Sequence, residues 1–137
     1  LQRTNLGDLD DASVVDLERP VSAAGGRFDG HVVQGHVDGV GTIRSIEDEG
    51  TSKRMRINAP AALARYLVEK GSVTVDGVSL TITAVSPIAD DDPWFEIVLI
   101  PHTLDVTVFG VRGVGDGVNL EVDILAKYVE RLMEAGG

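Results

Sequence analysis

The stretch Val73-Thr74-Val75-Asp76-Gly77-Val78-Ser79-Leu80-Thr81-Ile82 constrains the fold more than any other part of the sequence. Two runs rich in β-branched residues flank an Asp-Gly pair. A type I′ turn needs positive φ at both central positions, which Asp and Gly tolerate best, so the stretch reads as a β-hairpin. Asp-Gly recurs at Asp29-Gly30, Asp38-Gly39 and Asp116-Gly117, again beside short apolar runs. Further strands are expected at 37–43, 54–57, 95–100, 106–109 and 117–122, a spacing typical of all-β sandwiches and barrels. Only two helices are expected. Pro60 suits the first position of a short one over 61–68 that stops by Gly71 and plugs a barrel end. In the second, Ile124, Leu125, Tyr128, Val129 and Leu132 recur at helical spacing, with Asp123 placed to cap it and Gly136-Gly137 beyond. If that stripe does not fold back on the barrel, the same stripe of other subunits would cover it.

Composition narrows the chemistry. A chain of 137 residues can bury enough apolar surface to hold a core unaided. With no cysteine there are no thiolate nucleophiles, disulfides or Cys-ligated metals, and three His leave little for a metal site, so none is expected. A net charge of -10, with no basic run longer than Lys53-Arg54, disfavours nucleic acid. No apolar stretch approaches a bilayer span and Leu1-Gln2-Arg3-Thr4 opens no signal peptide, which makes a membrane unexpected and a cytoplasmic location the default. The acidic run Ala89-Asp90-Asp91-Asp92-Pro93 reads as a solvated loop.

An internal repeat bears on the chain's extent. At a register of 103 residues, Thr4 falls on Thr107, Gly7 on Gly110, Val15 on Val118, Leu17 on Leu120 and Glu18 on Glu121, without a gap and with Asp16 opposite Asn119. The pattern T-x-x-G-x7-V-[DN]-L-E thus occurs twice. The chain opens on Leu1 rather than Met, in what reads as the middle of an element, so 1–19 is expected to be the last strand of an earlier, mostly absent copy.

Several residues invite chemical readings. His31 and His36 lie five positions apart and would point to opposite faces of a regular strand, so a shared metal would need a bulge near Gly35. A proton-exchanging imidazole and a structural one both fit His36. Gly77-Val78-Ser79-Leu80-Thr81 has Thr81 where a nucleophile elbow needs glycine. Ser79 and Thr81 share one side of a strand, which suits either a polar ligand or an outward solvated face. Gly39-Val40-Gly41 has Arg44 where a dinucleotide fingerprint needs its third glycine. Lys70 either anchors a carbonyl or anion or snorkels at the rim. Glu121 and Asp123 share a face if the strand runs through both, which suits them to hold ligand hydroxyls, and Asp123 also reads as a helix cap.

Taken in order, G-H-V-V-Q-G-H-V-D-G-V-G from Gly30, K-G-S-V-T-V-D-G-V-S-L-T from Lys70, L-I-P-H-T-L from Leu99 and V-N-L-E-V-D-I-L-A-K-Y-V-E-R-L from Val118 resemble riboflavin synthase. The resemblance covers nearly the whole chain. It implies a six-stranded antiparallel Greek-key barrel with a short internal helix and a C-terminal amphipathic helix. The implied division is 1–19 as the closing strand of a first barrel otherwise missing, 20–123 as a complete second barrel, and 124–137 as an oligomerisation helix that builds homotrimers. The implied reaction is a dismutation in which one 6,7-dimethyl-8-ribityllumazine gives a four-carbon unit to another, yielding riboflavin and 5-amino-6-ribitylaminouracil. No metal or redox cofactor is implied, since the substrate ring is itself the electron sink for loss of a methyl proton. By the same resemblance Lys70, Ser79, Thr81, Ile100 and Thr103 line the ring pocket with Val37 and His102 beside it, and Glu121 holds ribityl hydroxyls. His36 is implied as a proton-transfer or orienting group, with Ser79 and Asp123 as catalytic helpers.

Since half of the paired site would come from the first barrel, a fragment of this kind is expected to bind one lumazine and turn over poorly. The alternative is a non-catalytic lumazine- or flavin-binding module of the same superfamily. The enzyme reading is favoured because His36, Ser79, Thr81 and Asp123 are all retained. A purely structural or protein-binding β domain is the third class.

Overall fold

The computed structural model describes residues 3–17 and 32–137. Six strands, β1 (Gly39–Glu49), β2 (Ser52–Asn58), β3 (Ser72–Val75), β4 (Val78–Val85), β5 (Trp94–Leu99) and β6 (Gly117–Val122), close into a barrel in the order β1-β2-β5-β4-β3-β6. Every neighbouring pair is antiparallel. Among the described residues two α-helices, α1 (Pro101–Val106) and α2 (Ile124–Gly136), complete the regular structure with three short 3-10 turns.

Strand alternation builds the core. Val73, Val75, Ile82, Phe95, Ile97, Leu99, Val118 and Leu120 are all almost wholly buried, as expected for side chains on the inner face of a small barrel. Two bulges shape the wall, one between Ile43 and Ser45 and one between Ile82 and Ala84. The first lets β1 pair with β6 through its amino half and with β2 along most of its length. At Gly41 a Cβ would come within 2.7 Å of the Asn58 carbonyl oxygen and 2.9 Å of both Ile57 and Leu120 side chains, so close strand approach, not a phosphate, accounts for this glycine.

The Asp76-Gly77 hairpin forms as expected, with φ of 47° and 84° at its two central residues. The Asp38-Gly39 and Asp116-Gly117 pairs instead lead into β1 and β6. Asp38 Oδ2 accepts the Val122 N–H (2.9 Å) while Oδ1 receives the Lys127 ammonium, and Asp116 Oδ2 accepts the Gly113 N–H (2.8 Å). Asp29-Gly30 lies outside the described residues. The other tight hairpin turns at Gly50, with φ of 64°.

Two further expectations are corrected. The helix expected over 61–68 is a 3-10 turn, Ala61–Tyr66, flanked by Pro60 at its start and opened by a bond from the Leu63 N–H to the Pro60 carbonyl (2.9 Å). It inserts Leu63 and Ala64 at the barrel end. No strand forms at 106–109, which divides between the end of α1 and a 3-10 turn, Val108–Gly110. Pro101, placed where a helix loses no amide bond, starts α1, and Val108 and Phe109 are buried against the barrel rather than paired in a sheet. Their β-branched and aromatic character serves packing here.

Among residues 3–17 the only regular element is a 3-10 turn at Leu6–Asp8, and the run after it pairs with no strand. A closing strand needs neighbours on both sides, and the six strands here close on one another without it.

Asp123 caps α2, accepting the Leu125 N–H at 3.1 Å. One side of α2 is tied to the barrel through Lys127 to Asp38 and through Glu130 to Arg65 and the Tyr66 hydroxyl. Leu125, Tyr128, Val129, Leu132 and Met133 remain exposed. No helix of the described residues is long and apolar enough to cross a membrane.

Candidate functional site

Because Val73 and Val75 of β3, Val78, Leu80 and Ile82 of β4, and Val118, Leu120 and Val122 of β6 all pack into the core, the alternate residues of these strands face outward. Register then places Glu121, Thr74 and Ser79 side by side across three strands, since Thr74 pairs with both Glu121 and Ser79. Thr81 lies two residues on, opposite Ser72. This outer polar row is the candidate site. Thr74, which the sequence reading passed over, is only 2% exposed at its centre. Its position could have been found by counting back from the Asp76-Gly77 turn.

Glu121 is the most committed of these groups. It is buried, and its carboxylate accepts the N–H groups of Gln34 (3.0 Å), Gly35 (3.3 Å) and His36 (3.2 Å). Gly35 has φ of 73°, which turns the loop so that successive amides converge on one acid. Each such charge-assisted bond contributes more than a neutral one. The site's only described histidine loop is thus held to the same strand that carries the polar row. The His36 side chain is exposed and Val37 is half-buried. His31 lies outside the described residues.

Lys70 sits in the turn before β3 with φ of 65°, its N–H donating to the Ile82 carbonyl (2.8 Å), and its side chain is exposed. Ile100 precedes α1 and is exposed, His102 is exposed within α1, and Thr103 is half-buried there. The Thr103 carbonyl accepts the Thr107 hydroxyl (2.6 Å), which closes the end of α1. Asp123 continues β6 past Glu121, and its Oδ1 is occupied by the helix cap.

An open cavity of about 310 Å3 lies at the Ser79 end of the row. Asp76, Gly77, Val78 and Ser79 form one wall, Val106 and Thr107 of the α1 end a second, and Asp16 and Leu17 a third. Asp16, also missed in the sequence reading, accepts the Val108 N–H on Oδ1 (2.9 Å), and its Oδ2 is buried with no hydrogen-bond partner among the described residues. Burial pushes its carboxyl above the ordinary value of 3.8, against the pull of the Val108 amide. The 103-residue register alone, which puts Asp16 opposite Asn119, could have flagged it.

Comparisons with known proteins agree with this architecture. The family model described as "Lumazine binding domain" matches residues 34–123. Riboflavin synthase of Mycobacterium tuberculosis (strain ATCC 25618 / H37Rv) is 51% identical over 137 residues, which is 100% of this chain and 67% of that protein. Riboflavin synthase of Bacillus subtilis (strain 168) is 42% identical over 133 residues, covering 97% of this chain and 59% of the relative. The chain therefore spans about two thirds or less of the length of these relatives. Among solved structures, LumP complexed with 6,7-dimethyl-8-(1'-D-ribityl) lumazine is similar with a TM-score of 0.56 and 29% identity, over 67% of this chain and 48% of LumP. With a whole-chain match at this identity and a family model spanning the barrel from its first loop to the helix cap, the chain belongs to the riboflavin synthase family.

Proposed function

We propose that this chain provides the second lumazine-binding barrel of a riboflavin synthase, over 20–123, with 1–19 belonging to a first barrel and 124–137 serving oligomerisation. The reaction is the dismutation of two 6,7-dimethyl-8-ribityllumazine molecules to riboflavin and 5-amino-6-ribitylaminouracil. The observation that carries this reading is the gathering of Glu121, Thr74, Ser79 and Thr81 on one outer face of β6, β3 and β4, with the His36 loop tied to it through Glu121.

A flat heteroaromatic ring with a polyol tail suits such a face. The hydroxyls of Ser79 and Thr81 both donate and accept toward ring carbonyls and nitrogens. Lys70 supplies a cation beside Thr81, and Ile100 and Thr103 at the start of α1, with His102 and Val37, flank the ring. Glu121 takes ribityl hydroxyls with lone pairs not used by the loop amides. The ring delocalises the electron pair left when its methyl group loses a proton, so the chain's part is to orient two rings and to move that proton. His36, exposed on a loop whose backbone is fixed, is the proton-transfer or orienting group. Ser79 and Asp123 assist it.

The exposed apolar side of α2, with Leu125, Tyr128, Val129, Leu132 and Met133, fits a helix seam between subunits of a homotrimer. Such an assembly sets the second barrel of one subunit against the first barrel of its neighbour and so brings two rings together. The chain on its own binds one lumazine and turns it over poorly.

Fluorescence titration with the lumazine, followed for hours for riboflavin and with intact mass recorded on the same sample, tests the reading. Saturable binding with little riboflavin is the expected result. In the full-length enzyme, Ser79→Ala and Asp123→Ala should lower turnover much more than affinity. Equal loss of both would favour a binding module over an enzyme, and no lumazine binding would overturn the site.

A further inference from the structure

The 103-residue repeat is visible as hydrogen bonds and not only as letters. The Leu6 N–H donates to Thr4 Oγ1 at 3.3 Å, and at the shifted positions the Phe109 N–H donates to Thr107 Oγ1 at 3.3 Å. The Asp8 N–H donates to the Asn5 carbonyl at 3.0 Å, and the Val111 N–H to the Val108 carbonyl at 3.1 Å. Each Thr-x-x-Gly segment thus makes the same small turn, with a threonine hydroxyl as its cap.

A third pair crosses between the copies. The Asn5 N–H donates to Asn119 Oδ1 at 2.9 Å, and the Val108 N–H donates to Asp16 Oδ1 at 2.9 Å. Asn5 and Val108 are equivalent under the shift, as are Asp16 and Asn119. Each copy's turn therefore gives its first amide to the side-chain oxygen of the other copy's Val-[Asp/Asn]-Leu-Glu run. An exchange of this form is what a local two-fold relation produces.

The two halves of the exchange differ in what they touch. Around Asn119 the supports are within the barrel: its N–H donates to Asp76 Oδ1 (2.8 Å), and Asp76 Oδ2 receives the Arg112 guanidinium at 3.1 and 2.7 Å. Asp16 instead holds Val108, one residue past Thr107, and stands with Val106, Thr107 and Ser79 around the 310 Å3 cavity. Its bond joins the Asp16-Leu17 side of the cavity to the segment that follows α1, and the Asp76-Gly77 hairpin lines the same cavity. The α1 segment has only six residues, so a side-chain tie just past its end adds to the burial of Val108 and Phe109 in setting where that end rests.

We propose that Asp16 is a positioning residue of the lumazine site: by accepting the Val108 amide it sets the spacing between the end of α1 and the Ser79 wall, reaching from one repeat into the ligand cavity of the other. The proposal rests on the reading that the Ser79 face takes lumazine. Asp16 itself touches no ring. Only its side-chain oxygen is needed, as Asn119 does the equivalent work with an amide.

The test is lumazine affinity by fluorescence titration in this chain, its Asp16→Ala and Asp16→Asn variants, with thermal melts and hydrogen exchange at the Val108 amide on each. Asp16→Ala is expected to weaken binding about tenfold and to speed Val108 exchange, whereas Asp16→Asn restores affinity to within about twofold of the parent and Val108 protection with it. Asp16→Ala with parental affinity overturns the proposal while the proposed function stands. So does loss of affinity in Asp16→Asn equal to that in Asp16→Ala, since a charge, not the tie, would then be at work. If Asp16→Ala fails to fold, hydrogen exchange at the Val108 amide of the parent chain decides: lumazine should raise its protection, and protection unchanged by saturating lumazine overturns the proposal. A parent chain that binds no lumazine overturns the proposed function, and this proposal with it.

Discussion

Two glutamates are buried to nearly the same degree on opposite walls of the barrel, Glu96 at 7% exposure on β5 and Glu121 at 6% on β6, and they are held in opposite ways. Arg56 donates to Glu96 Oε1 from Nε (2.9 Å) and Nη2 (2.5 Å), Arg54 lies 3.9 Å from its other oxygen, and the Arg56 guanidinium stacks 3.9 Å above the Trp94 ring. Cations answer that acid, and the Trp94 ring packs against one of them. Glu121 receives three backbone amides and forms no salt bridge among the described residues. A carboxylate answered by guanidinium groups is finished as structure. One held by amide dipoles has lone pairs to spare, and it needs donors that a polyol can bring.

The largest expected effect breaks the second case. On the proposed site Glu121→Ala removes the acceptor assigned to ribityl hydroxyls, and bonds to a charged acceptor are worth roughly 1.5–3 kcal/mol each, so lumazine binding should fall roughly ten- to a hundredfold in a fluorescence titration. The amides of Gln34, Gly35 and His36 lie on an exposed loop where water can replace the acid, so the melting temperature should move little by comparison. Glu121→Gln, which keeps one acceptor oxygen, should fall between. Parental affinity in both variants would remove Glu121 from the site.

Glu96→Ala should show the reverse. It leaves Arg56 and Trp94 packed over an uncompensated gap. Breaking a buried pair costs about 3–5 kcal/mol, here reduced to about 2 kcal/mol because Arg56 remains partly exposed. Urea unfolding should record that loss with lumazine affinity within about twofold of the parent. An affinity loss matching that of Glu121→Ala would mean that the two walls are not independent.

The comparison also marks what the sequence could disclose. The hairpin at Asp76-Gly77 was legible because its chemistry is local, and the same alternation placed Ser79 and Thr81 on one face. The other two described Asp-Gly pairs were misleading as turns: their carboxylates serve partners that sequence proximity does not suggest, Val122 and Lys127 for Asp38 above all. Likewise the Val106-Thr107-Val108-Phe109 run has strand composition, but burial at the barrel mouth and the start set by Pro101 prevail over propensity. The hold of Glu121 on the His36 loop was not legible. Its amide partners lie more than 80 residues earlier, at a loop whose shape depends on Gly35.

A third acid extends the comparison and carries the smallest expected effect. Asp16 has one oxygen on the Val108 amide and the other unpartnered among the described residues, with Asp76 and Arg112 as its charged neighbours. Burial raises its pKa first, the Val108 amide opposes, Asp76 adds to the rise and Arg112 lowers it, and the net shift is upward from 3.8. The folded protein then holds this proton more tightly than the unfolded chain does. Stability from this group is fully present below 3.8 and is lost as pH rises from there through the raised native value. Asp16→Asn keeps the acceptor and deletes the titration, so the difference in melting temperature between variant and parent should grow in the variant's favour as pH climbs through that window and then level off. Taking the difference cancels the carboxylates that both proteins share. A difference independent of pH would mean that Asp16 is as well answered as Glu96, by donors its Val108 bond does not reveal.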